Sequence, residues 1–144
     1  MAQIEASVHI NAPVERVFAF TASAENGPVF IPNLDSNSRI SVTPTRVGQK
    51  WNWQFNLVGV DIRGTAEVSS LEPLKRWALK TEGGTKSEWV YSFLIEREGT
   101  QVRLHIDYEV PRSVLGKLAG PVVERLNQKN AEEALANLKI ILET

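Results

Sequence analysis

The chain has 144 residues, 42% hydrophobic and 23% charged, with a net charge of −1. That size and balance suit a single domain, residues 1–144, and the near-zero charge supplies no field to gather nucleic acid or anionic lipid. The absence of cysteine excludes a disulfide framework, a thiolate zinc site and a cysteine nucleophile.

The chain opens with Ile4, Ala6, Val8 and Ile10 alternating with Gln3, Glu5, Ser7 and His9. This period of two predicts a half-buried strand. No basic flank or apolar signal core stands here, and no apolar run approaches a membrane span. A cytoplasmic protein without stable membrane insertion is expected. At Pro13 the period changes, and Val14, Val17 and Phe18 supply one side of a short helix. The breaker-rich residues 23–28 should end it. Val29, Phe30 and Ile31 lie between two prolines and read either as one turn of helix or as a hydrophobic flap.

Strands then follow at short intervals. The first is expected over residues 39–43. In the next, Trp51, Trp53, Phe55 and Leu57 share one face. Val60, Ile62, Gly64, Ala66 and Val68 follow, then Trp77, Leu79 and Thr81. Trp89, Tyr91, Phe93 and Ile95 come next, and Val102, Leu104, Ile106, Tyr108 and Val110 complete the set. Glycine-containing links make consecutive strands antiparallel neighbours. Val114, Leu115 and Leu118 form a short helical stripe, with a bend expected at Gly120 and Pro121 that would set Leu115 and Leu118 at a cavity mouth; a straight extension packed on a loop is the alternative. Residues 120–144 then read as one long amphipathic helix through Val122, Val123, Leu126, Ala131, Ala134, Leu135, Leu138, Ile141 and Leu142, with Asn127 and Asn130 on the same face. Seven strands with one apolar face each, closed by such a helix, predict a single curved antiparallel sheet wrapped on it.

The opening pattern Ile4-x-x-Ser7-Val8-x-Ile10-x-Ala12-Pro13-x-Glu15-x-Val17-Phe18 resembles the START / polyketide cyclase-dehydrase superfamily, to which birch-pollen-allergen-like proteins belong. The element order and terminal helix fit that group over essentially the whole chain. The resemblance implies an α+β helix-grip fold, a seven-stranded sheet gripping the C-terminal helix around a hydrophobic cavity. Members often carry an Asp and a Trp after the first helix. Here Glu25, Asn26 and residues 29–31 stand there, so a differently shaped entrance loop is expected.

Large inward aromatics around a helix suit an apolar ligand cavity. The expected ligand wall comprises Trp53, Phe55, Ile62, Ala66, Leu79, Trp89, Tyr91, Phe93 and Tyr108 from the strands. Leu118, Val122, Leu126 and Asn130 would close it from the helical side. Gly64 and Ala66 would leave room in the middle strand. Tyr91, Tyr108, Asn127 and Asn130 are the polar tips that would orient a ligand. Both histidines, His9 and His105, fall in the outward phase with Asp61, Glu67, Asp107 and Glu109, which weighs against acid-base catalysis inside. Phosphate-binding glycine loops, metal-ligand spacings and nucleophile elbows do not occur, so no cofactor, metal or catalytic residue is expected.

Basic residues on the outward faces are interspersed with acidic ones, which argues against a nucleic-acid partner. The favoured function is binding, as carrier or sensor, of a hydrophobic small molecule; lipids, isoprenoids and aromatic polyketides are the classes the resemblance implies. A cyclase or dehydrase using the same cavity is the alternative, and a partner-binding module with a filled cavity is a third. Either a monomer or a homodimer is compatible with the sequence.

Overall fold

In the computed structural model, which describes residues 2–144, alternation of apolar and polar side chains organises one seven-stranded sheet. Its strands are β1 (Ala2–Ile10), β2 (Leu34–Ser38), β3 (Lys50–Leu57), β4 (Val60–Glu72), β5 (Arg76–Gly83), β6 (Ser87–Glu96) and β7 (Gly99–Tyr108). The spatial order is β1-β7-β6-β5-β4-β3-β2, and every pairing is antiparallel. Strands two to seven form a meander, and β1 returns to pair with β7. Between β1 and β2 the chain forms α1 (Val14–Thr21), a single 3₁₀ turn (Ala24–Asn26) and α2 (Gly27–Phe30). After β7 come α3 (Arg112–Leu115) and α4 (Gly120–Glu143). The curved sheet around α4 is the helix-grip arrangement.

Two boundaries differ from the sequence reading. The strand expected over residues 39–43 lies instead at Leu34–Ser38. That segment is almost wholly polar, so it carries no period-two signal, and backbone pairing with β3 alone makes it a strand. Arg39, with φ of 54°, ends it. The bend expected at Gly120 and Pro121 falls earlier, over residues 116–119, and both residues lie inside the first turn of α4. Proline needs no amide hydrogen there, so it begins a helix as readily as it breaks one.

Helix α4 also completes the edge of the sheet. Strand β1 has no neighbour beyond it, so alternate carbonyls would stand unpaired. Gln128 Nε2 donates to the Glu5 carbonyl at 2.8 Å, and Lys139 Nζ donates to the His9 carbonyl at 2.8 Å. The Asn11 amide donates to Glu143 Oε2 at 2.8 Å. Three side chains on one face of α4 thus bind the strand to the helix. On the outer face of the sheet, His105 bridges Glu5 (3.0 Å) and Asp107 (3.2 Å). Partial burial alone would lower its pKa, but the hydrogen bonds and charges of the two carboxylates outweigh it and raise the pKa above the ordinary imidazole value.

Candidate functional site

Where α4 crosses the concave face of the sheet, the packing leaves a cavity of about 150 Å³. The reason lies in which residues α4 turns inward. Val123, Leu135, Leu138 and Leu142 fill the space on either side, but the middle of the helix presents Asn127, Asn130, Ala131 and Ala134 to the sheet. Two alanines leave the volume that longer side chains would occupy. The opposite wall is aromatic: Trp51, Trp53, Trp77 and Trp89 all border the space, with Phe55, Tyr91 and Tyr108. Trp77 and Tyr91 stack with ring centroids 4.9 Å apart and planes 7° from parallel, which makes a flat, stiff surface.

Of the residues expected to form the ligand wall, Trp53, Phe55, Ile62, Ala66, Leu79, Trp89, Tyr91, Tyr108 and Asn130 lie on the cavity surface. Phe93 does not. It points one strand step beyond Tyr91 and packs edge-on against Phe18 of α1, with centroids 5.2 Å apart. Leu118, Val122 and Leu126 are also off the wall. One residue of helix is a 100° turn, so placing Asn127 and Asn130 inward swings Leu126 to solvent, where it is 39% exposed. Val122, half-buried one residue before the fully buried Val123, is off-phase in the same way. Leu118 falls in the irregular residues between α3 and α4 and packs at the margin of the core. Gly64 opens no space either. A Cβ there would stand 2.6 Å from the Trp53 ring and collide with the Glu82 carbonyl, so the indole already fills that site.

Sequence reasoning overlooked the polar side of the cavity. Thr81, Thr85 and Ser87, around the β5–β6 hairpin, border it, as does Asn37 of β2. Thr81 and Ser87 share a period-two phase with Leu79 and Trp89, and that signal was available. Asn37 had none, because its strand carries no alternation. The Asn37 amide donates to the Ala24 carbonyl at 2.8 Å, while its own oxygen is buried without a partner.

Two further buried groups on this wall lack partners, the Trp77 indole nitrogen and the Tyr108 hydroxyl. Tyr108 faces Asn127. Burial raises its pKa, and the neighbouring amide only partly offsets that. For Tyr91 burial is the sole influence, and it pushes the phenol far above its ordinary value. Both phenols therefore stay neutral across the physiological range and are available as hydrogen-bond donors. Among the described residues, no Asp, Glu, His, Lys or Arg side chain borders the cavity. No group of three or more His, Asp or Glu among them is arranged to hold a metal ion, and no helix is long and apolar enough to cross a membrane.

A family described as "Polyketide cyclase / dehydrase and lipid transport" matches residues 1–143. The chain belongs to that family. No curated protein sequence matches it. Among solved structures it is similar to TTHA0849 of Thermus thermophilus, at 27% identity and a TM-score of 0.82, covering 96% of this chain and 95% of that one. A START superfamily protein of Mycobacterium smegmatis matches at 16% identity with a TM-score of 0.79, over 98% and 97% of the two chains. The Zhui aromatase/cyclase of Streptomyces sp. R1128 matches at 16% identity with a TM-score of 0.77, over 99% and 93%. The last two likenesses establish the fold that this family member shares.

Proposed function

We propose that this protein holds a small, neutral, ring-containing molecule in the cavity between sheet and α4. The carrying observation is an apolar, aromatic-walled space of about 150 Å³ with a few uncharged polar side chains on its border. The volume argues for rings over a long acyl chain. A cavity of this size in an apolar core accommodates a molecule like benzene, and long lipids need several times more. Absence of charge on the wall among the described residues favours neutral ligands over carboxylates. It also favours holding over acid-base turnover, since the two tyrosines are poor proton carriers near neutrality.

All four tryptophans border the cavity, so their emission reports occupancy. Titration with acetophenone, a single-ring neutral ketone, should give a saturable change with one site per chain. Ala134→Leu, which fills the space, should abolish it while the variant stays folded. No saturable change, or an equal change in the variant, would refute the proposal.

A further inference from the structure

We infer that α3 and the first turns of α4 form a docking surface for anionic lipid membranes. The inference does not depend on what the cavity holds and concerns the outer side of the same helix.

Charge is spread unevenly along the chain. Residues 111–129 carry Arg112, Lys117, Arg125 and Lys129 against a single carboxylate, Glu124. That is a net of +3 in a chain whose total is −1, so the local field opposes the overall charge. All four cations are exposed, and among the described residues Arg112, Lys117 and Arg125 make no ion pair. Lys129 reaches Glu133 at 4.0 Å, but both side chains are more than half exposed, and such a pair holds little against a competing anion.

Helix α4 also sorts its residues by flank, since residues three or four apart are neighbours on a helix. One flank runs through Glu124, Gln128 and Glu132 and is turned to the sheet edge. There Gln128 bonds the Glu5 carbonyl and the Glu132 carboxylate, and the Glu124 charge acts on Tyr108 of β7. The other flank runs through Val122, Arg125, Leu126 and Lys129, of which only Val122 is half-buried. Glu124 stands two residues from Leu126, about 200° of helix turn away. On α3 the pattern repeats: Leu115 is 50% exposed, one residue after the fully buried Val114, with Arg112 three residues before it.

Leucines among cations, with the acids kept to another flank, are the composition of helices that lie in the boundary of an anionic bilayer. Acidic headgroups meet the lysines and arginines while Leu115 and Leu126 enter the edge of the acyl region. An acidic protein would also answer the charge. A stable protein interface, however, buries about 800 Å² on each partner around a central apolar cluster. Here the exposed apolar side chains stand singly between cations, which a fluid bilayer accommodates and a rigid partner does not. Four cations and two leucines give reversible attachment rather than insertion.

The test is flotation of the unmodified chain with vesicles of phosphatidylcholine, alone or with about 30% phosphatidylserine, at about 0.1 M and about 0.5 M salt. The chain should float with the phosphatidylserine vesicles at low salt, and not with phosphatidylcholine alone or at high salt. Arg125→Gln combined with Lys129→Gln should weaken that binding about twentyfold. Arg46→Gln combined with Arg63→Gln, the same change of charge on exposed residues elsewhere, should leave it within about twofold. Leu126→Ser should also weaken it. No binding to phosphatidylserine vesicles overturns the proposal, and so does equal binding to both lipids or an equal loss in the two paired variants. The comparison of lipids and salts on the unmodified chain decides the matter even if a variant does not fold. The vesicles carry no cavity ligand, so this result and the acetophenone titration fail independently.

Discussion

Replacing Ala134 with leucine separates an open cavity from a merely loose description of a filled core. Ala134 is 1% exposed, sits on α4 and borders the cavity, so its new side chain has one direction to grow. Leucine adds three carbon groups, each worth about 0.8 kcal/mol when taken out of water into apolar space, or roughly 2.4 kcal/mol together. Freezing the leucine rotamers removes about 0.5–1 kcal/mol of that. Helix propensity barely changes, because alanine and leucine are both strong helix formers. The net gain is about 1.5 kcal/mol, which for a chain near this length raises Tm by about 5 °C. Thermal unfolding followed by circular dichroism reads it directly. If the wall were already packed, the same substitution would force side chains off their rotamers and destabilise by about 1–3 kcal/mol. A lowered Tm would refute the open cavity, whatever ligand experiments showed.

Other substitutions probe the rest of the framework. Gly64→Ala places a methyl against the Glu82 carbonyl and the Trp53 ring, so it should destabilise by about 3 kcal/mol in chemical unfolding. Tyr108→Phe removes a buried hydroxyl with no partner and should leave stability unchanged or raise it by up to about 1 kcal/mol in the same assay. Lys139→Ala frees the His9 carbonyl and should speed amide hydrogen exchange along β1 more than along β4. For His105 the folded pKa lies above the unfolded value near 6.5, so its contribution is full below that value and is lost as pH rises through the folded pKa. The stability advantage of the unmodified chain over His105→Gln should therefore be larger at about pH 5.5 than at about pH 8.5. An advantage that is flat or grows with pH would contradict the bridge to Glu5 and Asp107.

The fold was legible wherever side chains alternate, because period two marks a half-buried strand without help from the rest of the chain. Strand β2 escaped because its residues, Leu34 apart, are polar and its existence depends on β3 beside it. The strand half of the cavity wall was legible for the same reason, with Phe93 misplaced only because α1 covers it. The helical half was harder. On α4 apolar residues are spread over more than one face, and only contact with the sheet shows that the inward line runs through Asn127, Ala131 and Ala134 and leaves Leu126 outside. A search for large apolar residues looks past alanines, yet alanines are what leave a space. The unpartnered donors were illegible, since an indole N–H reads the same in sequence whether or not a carbonyl faces it.

Methyl resonances give the most direct reading of ligand position. With acetophenone added to saturation, the methyls of Ala66, Leu79, Ala131 and Ala134 should shift together, since all four border the one cavity. Those of the exposed Leu94 and Ile140, on the outside of the protein, should stay where they are. Shifts confined to Leu94, Ile140 or other exposed methyls, or no shifts at saturating ligand, would contradict a binding site between the sheet and α4.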